Sequence, residues 1–149
     1  MYLAMNGAMV VLFFHILAAT IWIGGQITLA MLVPLLRGVE GLATRAARRF
    51  QYLAWTAYAV LLVTGVANMR NAGIGWSDLQ STAAGRTLGL KMALVVVSGI
   101  GAAVHAYSVG PRATRTGSKR LHMISGIFAG ISLLAAMGAA LYGVDIAQH

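Results

Sequence analysis

The sequence contains no cysteine and only three acidic residues. Without cysteine there is no disulfide, no thiolate metal site and no thiol catalysis, so ligation of a soft metal falls to histidine and methionine. The acids Glu40, Asp78 and Asp145 lie far apart in the sequence, in predicted loops or at helix ends. We therefore expect no carboxylate pair for acid–base catalysis. The glycine-rich fragments follow no predicted strand and indicate no phosphate loop, which argues against hydrolytic and nucleotide-driven enzymes.

Charged residues are also scarce: they make up 9% of the 149 residues, whereas 59% are hydrophobic. A soluble domain of this length carries about 25% charged residues, so this chain has too little polar surface to coat a water-exposed globule. Four apolar segments account for the deficit, each with the ~20 residues that a membrane-spanning helix needs. They lie at about 8–36, 50–69, 87–109 and 121–144.

The apolar segments show no alternation of period two, which favours helices over the strands of a membrane barrel. The loops between them are short, and short loops make neighbouring helices antiparallel. Gly110-Pro111 predicts the end of the third span. We therefore predict an all-α fold, an integral membrane four-helix bundle with antiparallel up-down topology, forming a single domain over residues 1–149. The first apolar run is too long for a signal peptide and is expected to be retained.

Basic residues are distributed unevenly among the loops. Eight lie in the first and third loops, whereas only Arg70 and Arg86 flank the second. The eight are Arg37, Arg45, Arg48, Arg49, Arg112, Arg115, Lys119 and Arg120. The positive-inside rule then places these two loops in the cytoplasm and both termini outside. The net charge of +8 is explained by attraction of these loops to anionic membrane lipids, and nucleic acid is not expected as a partner.

The first span carries polar residues where lipid is expected. His15, Trp22 and Gln26 are spaced seven and eleven residues apart, which places them within about 20° of one another on a helical wheel. Gly25 lies beside this stripe and could admit a neighbouring helix or a flat ligand. Polar groups at membrane depth often mark functional sites, although a packing stripe bonded to other helices is the alternative.

The third span repeats the arrangement. Lys91, Ser98 and His105 share one helix face by the same spacing. Lys91 either extends to the headgroups or faces inward to pair with an anionic ligand group. His105 falls near the cytoplasmic boundary, about 13 Å from the depth of His15, given the rise of a helix and the thickness of the hydrocarbon core. These two histidines are therefore not expected to ligate one iron from opposite sides.

One chemistry that suits this pattern is copper binding. Thioethers and imidazoles are the ligands that suit Cu(I) when thiolates are absent. His15 with a nearby methionine is therefore a candidate copper site at the outer side of the membrane. The methionines considered as its ligands are Met5, Met9, Met92 and Met137, while Met69 falls at the outer end of the second span.

A second chemistry is haem binding, because imidazole is an axial haem ligand and a helical bundle is a common haem host. His105 with His122 could hold a haem b, or His15 with a methionine. Lys91 and Arg86 could then pair with the propionates. This would make the chain a membrane redox protein, and otherwise no enzymatic activity is expected. A third hypothesis is a structural or regulatory subunit without a cofactor.

Small residues recur at four-residue spacing at Gly126 and Gly130 in the fourth span and around Gly99 and Ala103 in the third. Such spacing lets helix backbones approach closely. The expected use is packing within the chain, and a homodimer through the same face is the alternative.

Several motifs together resemble a known family. His15 followed by WIGG at 22–25, VTGVAN at 63–68 and GRTLGLK at 85–91 resemble the copper-resistance protein D (CopD) family. The resemblance implies a helical protein of the bacterial cytoplasmic membrane that takes part in copper uptake or tolerance, with a periplasmic copper or redox protein as a candidate partner. Positions that match by resemblance are His15, Trp22, Gly24, Gly25, Arg86 and Lys91. The chain is more distantly similar to HemJ-type protoporphyrinogen oxidases, which bind haem b.

Overall fold

In the computed structural model the protein is all-α, and no strand is present among residues 6–36, 38–39 and 41–148, which the structure describes, with side chains as far as residue 143. The elements are α1 (Gly7–Leu36), α2 (Leu42–Asn71), α3 (Asp78–Ser81), α4 (Ala83–Ala103), a π-helical segment (Val104–Val109), α5 (Gly110–Thr116) and α6 (Lys119–Gln148). By length and composition, four of the helices can cross a membrane, and the third of these runs from α4 through α5. The predicted all-α membrane fold is confirmed.

The chain forms two compact units that divide between Gly75 and Trp76. In the first unit α1 packs against α2, and this pair is called the first hairpin. In the second unit α4 and the segments that continue it pack against α6, and this pair is called the second hairpin. Large apolar side chains such as Phe13 and Leu134 are exposed on the faces turned away from the paired helix, as expected for contact with lipid.

The first hairpin is held by one antiparallel seam. Its residues on α1 recur at intervals of three and four, so they share a face, and they include the buried Ala18 and Trp22. Pairs across the seam run in opposite directions along the two helices. They are His15–Thr64, Trp22–Tyr58 and Gly25–Phe50.

The second hairpin has a similar antiparallel seam, but small residues line it. Ser98 and Ser132 are fully buried, with their hydroxyl oxygens 3.3 Å apart. Pairs across this seam are Lys91–Gly143, Leu94–Gly138, Ser98–Ser132, Gly101–Phe128 and His105–Ser125. Small side chains let the backbones approach closely, and such packing is a main source of attraction between helices in lipid.

The third span does not end at Gly110-Pro111, and that prediction is wrong. The helix continues through the π segment and α5 to Thr116. In the π segment the N–H of Gly110 donates to the carbonyl of His105, five residues earlier. This wider turn relieves the clash that a proline ring makes with the carbonyl four residues before it. Pro111 follows this wider turn, and its missing N–H leaves one backbone bond of the continuous helix unmade.

Other helix boundaries also differ from the prediction. α2 begins at Leu42, because the first loop contains a helix that runs into the second span, as its sequence predicts. α4 begins at Ala83 rather than 87, and α6 extends to Gln148. These predicted spans followed apolar composition, but a helix continues while its backbone hydrogen bonds are made. The additional turns of α2 carry basic side chains such as Arg45, which suit the headgroup level.

Close helix approach in the second hairpin occurs at a glycine other than the expected pair. A Cβ on Gly126 or Gly130 would have nothing within 4 Å among the described residues, so these two glycines do not line the seam. A Cβ on Gly101 would lie 3.0 Å from the carbonyl oxygen of Phe128 and 3.1 Å from the amide nitrogen of Ser132. Both neighbours are backbone atoms of α6, so the helices themselves would have to separate.

Replacing Gly101 by alanine should therefore destabilise the second hairpin by about 1–3 kcal/mol, the usual range for overpacking. Gly130→Ala is the matched control and should leave stability unchanged or raise it slightly, since alanine favours helix over glycine. Thermal unfolding in detergent, followed by tryptophan fluorescence, measures both. Equal melting temperatures for the two variants would contradict the close approach at Gly101.

Candidate functional site

The imidazole of His15 is held by a hydroxyl on the facing helix. Its Nδ1 lies 2.9 Å from Oγ1 of Thr64, and the Thr64 hydroxyl donates to the carbonyl of Val60 at 2.6 Å. Because that hydroxyl proton is committed, Nδ1 carries the hydrogen and donates to Oγ1, which leaves the lone pair of the neutral ring on Nε2. Metal-bound histidines are commonly held in this way, by an outer hydrogen bond from the nitrogen that does not bind the metal.

Three further residues of α2 lie at the same end of the seam. A Cβ on Gly65 would be 3.5 Å from Cε1 of His15, so the ring lies over this glycine. Met69 is 3% exposed. Nδ2 of Asn68 is buried and has no hydrogen-bond partner among the described residues. The five residues His15, Thr64, Gly65, Asn68 and Met69 are called the His15 cluster.

Three aromatic rings close the seam about two turns from His15. The ring centroid of Trp22 lies 4.7 Å from that of Tyr58 and 5.7 Å from that of Trp55. Trp55 and Tyr58 meet edge to face at 5.6 Å, an arrangement that aromatic pairs favour. Along the seam, the rings lie between the His15 cluster and the turn that joins the two helices.

Gln26 lies one turn after Trp22 on α1. Its Nε2 donates to the carbonyl of Trp22 at 3.1 Å, so this amide group is bonded within its own helix.

The two glycines of the WIGG motif have different surroundings. At Gly25 the ring of Phe50 from α2 lies where a Cβ would be. The neighbouring helix, through one aromatic side chain, therefore takes the space that the sequence predicts for a helix or a flat ligand. A Cβ on Gly24 would have no atom within 4 Å among the described residues.

In the second hairpin the candidate residues Lys91 and His105 both face α6. The Nζ of Lys91 lies 2.9 Å from the position of a Cβ on Gly143, so the half-buried lysine chain packs over a glycine. Nδ1 of His105 lies 3.0 Å from the carbonyl oxygen of Ser125 and 2.9 Å from its hydroxyl oxygen. The imidazole is therefore held against α6 by one residue.

His122 is exposed on α6, one turn before Ser125. Side chains lean toward the N-terminus of their own helix. His105 therefore leans toward the beginning of α4, which lies beside the end of α6. His122 leans toward the beginning of α6, so the two side chains point away from one another. The register does not favour a pair of axial ligands here.

The glycines of the GRTLGLK motif position α3. A Cβ on Gly85 would collide with the carbonyl of Asp78, and one on Gly89 would lie 3.4 Å from the carbonyl of Leu79. Thr82 begins α4 and accepts from the Gly85 amide at 3.0 Å. Arg86 is exposed. The two glycines therefore have a packing role in the second hairpin.

The methionines expected near His15 are distributed differently. Met5 lies outside the described residues, and Met9 is 48% exposed on α1. Met92 and Met137 belong to the second hairpin. Met69, which the sequence reasoning placed by depth but gave no role, is the buried methionine nearest to His15 along the seam. No pattern in the sequence marks it, because only the register of α1 and α2 places it beside His15.

Across the described part of the chain, no three His, Asp or Glu side chains come together. The model of the family named copper resistance protein D matches residues 44–144. The match covers α2 through most of α6 and begins after His15 and WIGG. No curated protein and no solved structure gives a significant match to the chain.

Replacing Thr64 by valine keeps the shape of the side chain and removes the acceptor of the His15 N–H. An unsatisfied buried donor costs about 1–3 kcal/mol, so the ring should shift toward the tautomer with hydrogen on Nε2. Side-chain ¹⁵N chemical shifts of histidine-labelled protein in micelles report this change, and His15→Gln assigns the signal. Thr64→Ser is the control and should preserve the wild-type tautomer; an unchanged tautomer in the valine variant would contradict the assignment.

Proposed function

Since the chain belongs to the copper resistance protein D family, we propose that it is a copper-handling membrane protein that captures Cu(I) at His15. The observation that supports this role is the hydrogen bond between His15 and Thr64. It places the lone pair of the neutral imidazole on Nε2, the nitrogen through which this ring would bind a metal ion.

The surroundings of His15 suit a soft monovalent ion better than a hard divalent one. The side chains that α2 contributes to the His15 cluster are a hydroxyl, a carboxamide and a buried thioether, all of them uncharged. Ca²⁺ and Mg²⁺ favour carboxylate oxygens, which this part of the hairpin does not supply. Neutral imidazole and thioether ligands match the preference of Cu(I), and a single positive charge is less costly than two to bring into an apolar seam.

The position of the cluster also suits uptake from outside the cytoplasm. His15 lies toward the N-terminal end of α1, whereas Arg45, Arg48 and Arg49 lie at the opposite end of the hairpin, beside the turn. Under the positive-inside rule the turn faces the cytoplasm of a bacterial cell and the His15 cluster faces the periplasm. Copper would then enter from a periplasmic donor.

The alternative of a haem b held by His105 and His122 has less support. The proposed pair His105 and His122 lean apart. A groove of about 600 Å³ along α2 is lined by Leu62, Val63, Val66, Ala67, Arg70 and Asn71, and none of these side chains is an imidazole or thioether that ligates haem iron. The absorption spectrum of the purified protein distinguishes the two functions, because a Soret band that shifts on reduction indicates haem.

His15→Ala should abolish the tightest Cu(I) binding of the detergent-purified protein, because it removes the imidazole that the α2 hydroxyl positions. Competition with a coloured Cu(I) chelator under reducing, anaerobic conditions measures the affinity. His105→Ala is the matched control, since it removes a hydrogen-bonded imidazole from the other hairpin.

The control variant should keep wild-type affinity for the first equivalent of Cu(I). Wild-type protein that binds no copper, or a His15→Ala variant that binds it as tightly as wild type, would overturn the proposed site. A folded state in each variant is checked by its melting temperature.

A further inference from the structure

We propose that Met69 and Asn68 complete the copper site at His15: the Met69 thioether is a second ligand to Cu(I), and Asn68 donates a hydrogen bond to a water bound to the ion. This inference rests on the proposed function and assigns the ligands of that same site. It depends on three observations, namely the burial of Met69, the unpartnered amide of Asn68 and the antiparallel register of α1 and α2.

The burial of Met69 separates it from the other methionines of the first hairpin. Its side chain is 3% exposed, whereas Met9 is 48% and Met31 is 72% exposed. A methionine on the outer face contacts lipid, whereas a buried methionine on the seam packs against protein and can contact a ligand held between the helices. Met69 lies four residues after Gly65, and residues four apart share a helix face. Gly65 is the residue over which the His15 ring lies.

The register brings the thioether and the imidazole toward one another. Side chains on a helix lean toward its N-terminus. His15 therefore leans toward the beginning of α1, which lies beside the end of α2. Met69 lies near the end of α2 and leans back toward the level of His15. The two side chains converge on the part of the seam next to Gly65, where the His15 ring lies.

Asn68 supplies an observation that itself indicates a ligand. Its Nδ2 is buried and has no partner among the described residues. Buried donors without partners are rare in native structures, and each one calls for an explanation such as a water or a bound ion. An amide N–H cannot bind a cation directly, but it can donate to a water on that cation. Asn68 is four residues after Thr64, which bonds His15, so it lies on the face of α2 that carries the site.

The decisive experiment measures Cu(I) affinity and sulfur coordination in Met69→Leu. Leucine fills a similar volume with little effect on packing, whereas it cannot ligate copper. We expect the dissociation constant to rise by at least about tenfold, and X-ray absorption at the copper edge to lose its sulfur scatterer. Met31→Leu is the matched control on the exposed face of α1 and should change neither quantity.

A second variant, Asn68→Leu, separates a ligand role from a structural one. Removing an unpartnered buried donor should leave the melting temperature of the copper-free protein unchanged or raise it. The same variant should weaken Cu(I) binding about 10- to 100-fold, as loss of an outer hydrogen bond does. Asn71→Leu, one turn further and exposed, is its control and should retain the wild-type affinity.

The outcomes distinguish this inference from the proposed function. Wild-type protein without Cu(I) binding, or His15→Ala with full binding, overturns both. Binding that requires His15 but is unchanged in Met69→Leu, with the copper spectrum also unchanged, overturns the Met69 assignment alone. An Asn68→Leu variant that keeps wild-type affinity, or loses stability without copper, overturns the role of Asn68.

Discussion

The hydrogen bond between His15 and Thr64 is the interaction on which the candidate site depends. In a membrane helix an imidazole cannot rely on water, so its N–H must find an acceptor within the protein. The hydroxyl of Thr64 serves as that acceptor because its own proton is donated to the carbonyl of Val60. The carbonyl of Val60 accepts the proton of Thr64, and this determines which ring nitrogen of His15 carries hydrogen and which carries the lone pair.

The seams between the helices of the two hairpins are packed by different side chains. In the first, aromatic rings of Trp22, Trp55 and Tyr58 fill the seam. In the second, Ser98 and Ser132 face one another and Gly101 touches the backbone of α6, so the helices lie close.

Helical periodicity in the sequence predicts which residues share a face, and it does so correctly for His15 with Trp22 and for Lys91 with Ser98 and His105. It does not predict what those faces meet, because that depends on the register of two helices joined by a turn. Thr64, Asn68 and Met69 are ordinary in an apolar helix until the register brings them beside a histidine. The π segment was missed for a local reason: Gly-Pro usually ends a helix, and only a shift of hydrogen-bonding partner lets it continue.

The direction in which side chains lean explains why one pair of candidate ligands converges and another does not. In an antiparallel pair, a residue leans toward its partner helix's later residues, because its own N-terminus lies beside the partner's C-terminus. His15 leans toward the end of α2, where Met69 lies, and Met69 leans back toward the level of His15. For His105 the corresponding residues lie after Ser125 on α6, whereas His122 lies before Ser125 and leans the other way. Chain direction, more than the number of histidines and methionines, therefore favours the first hairpin as the place where a metal ion can be held.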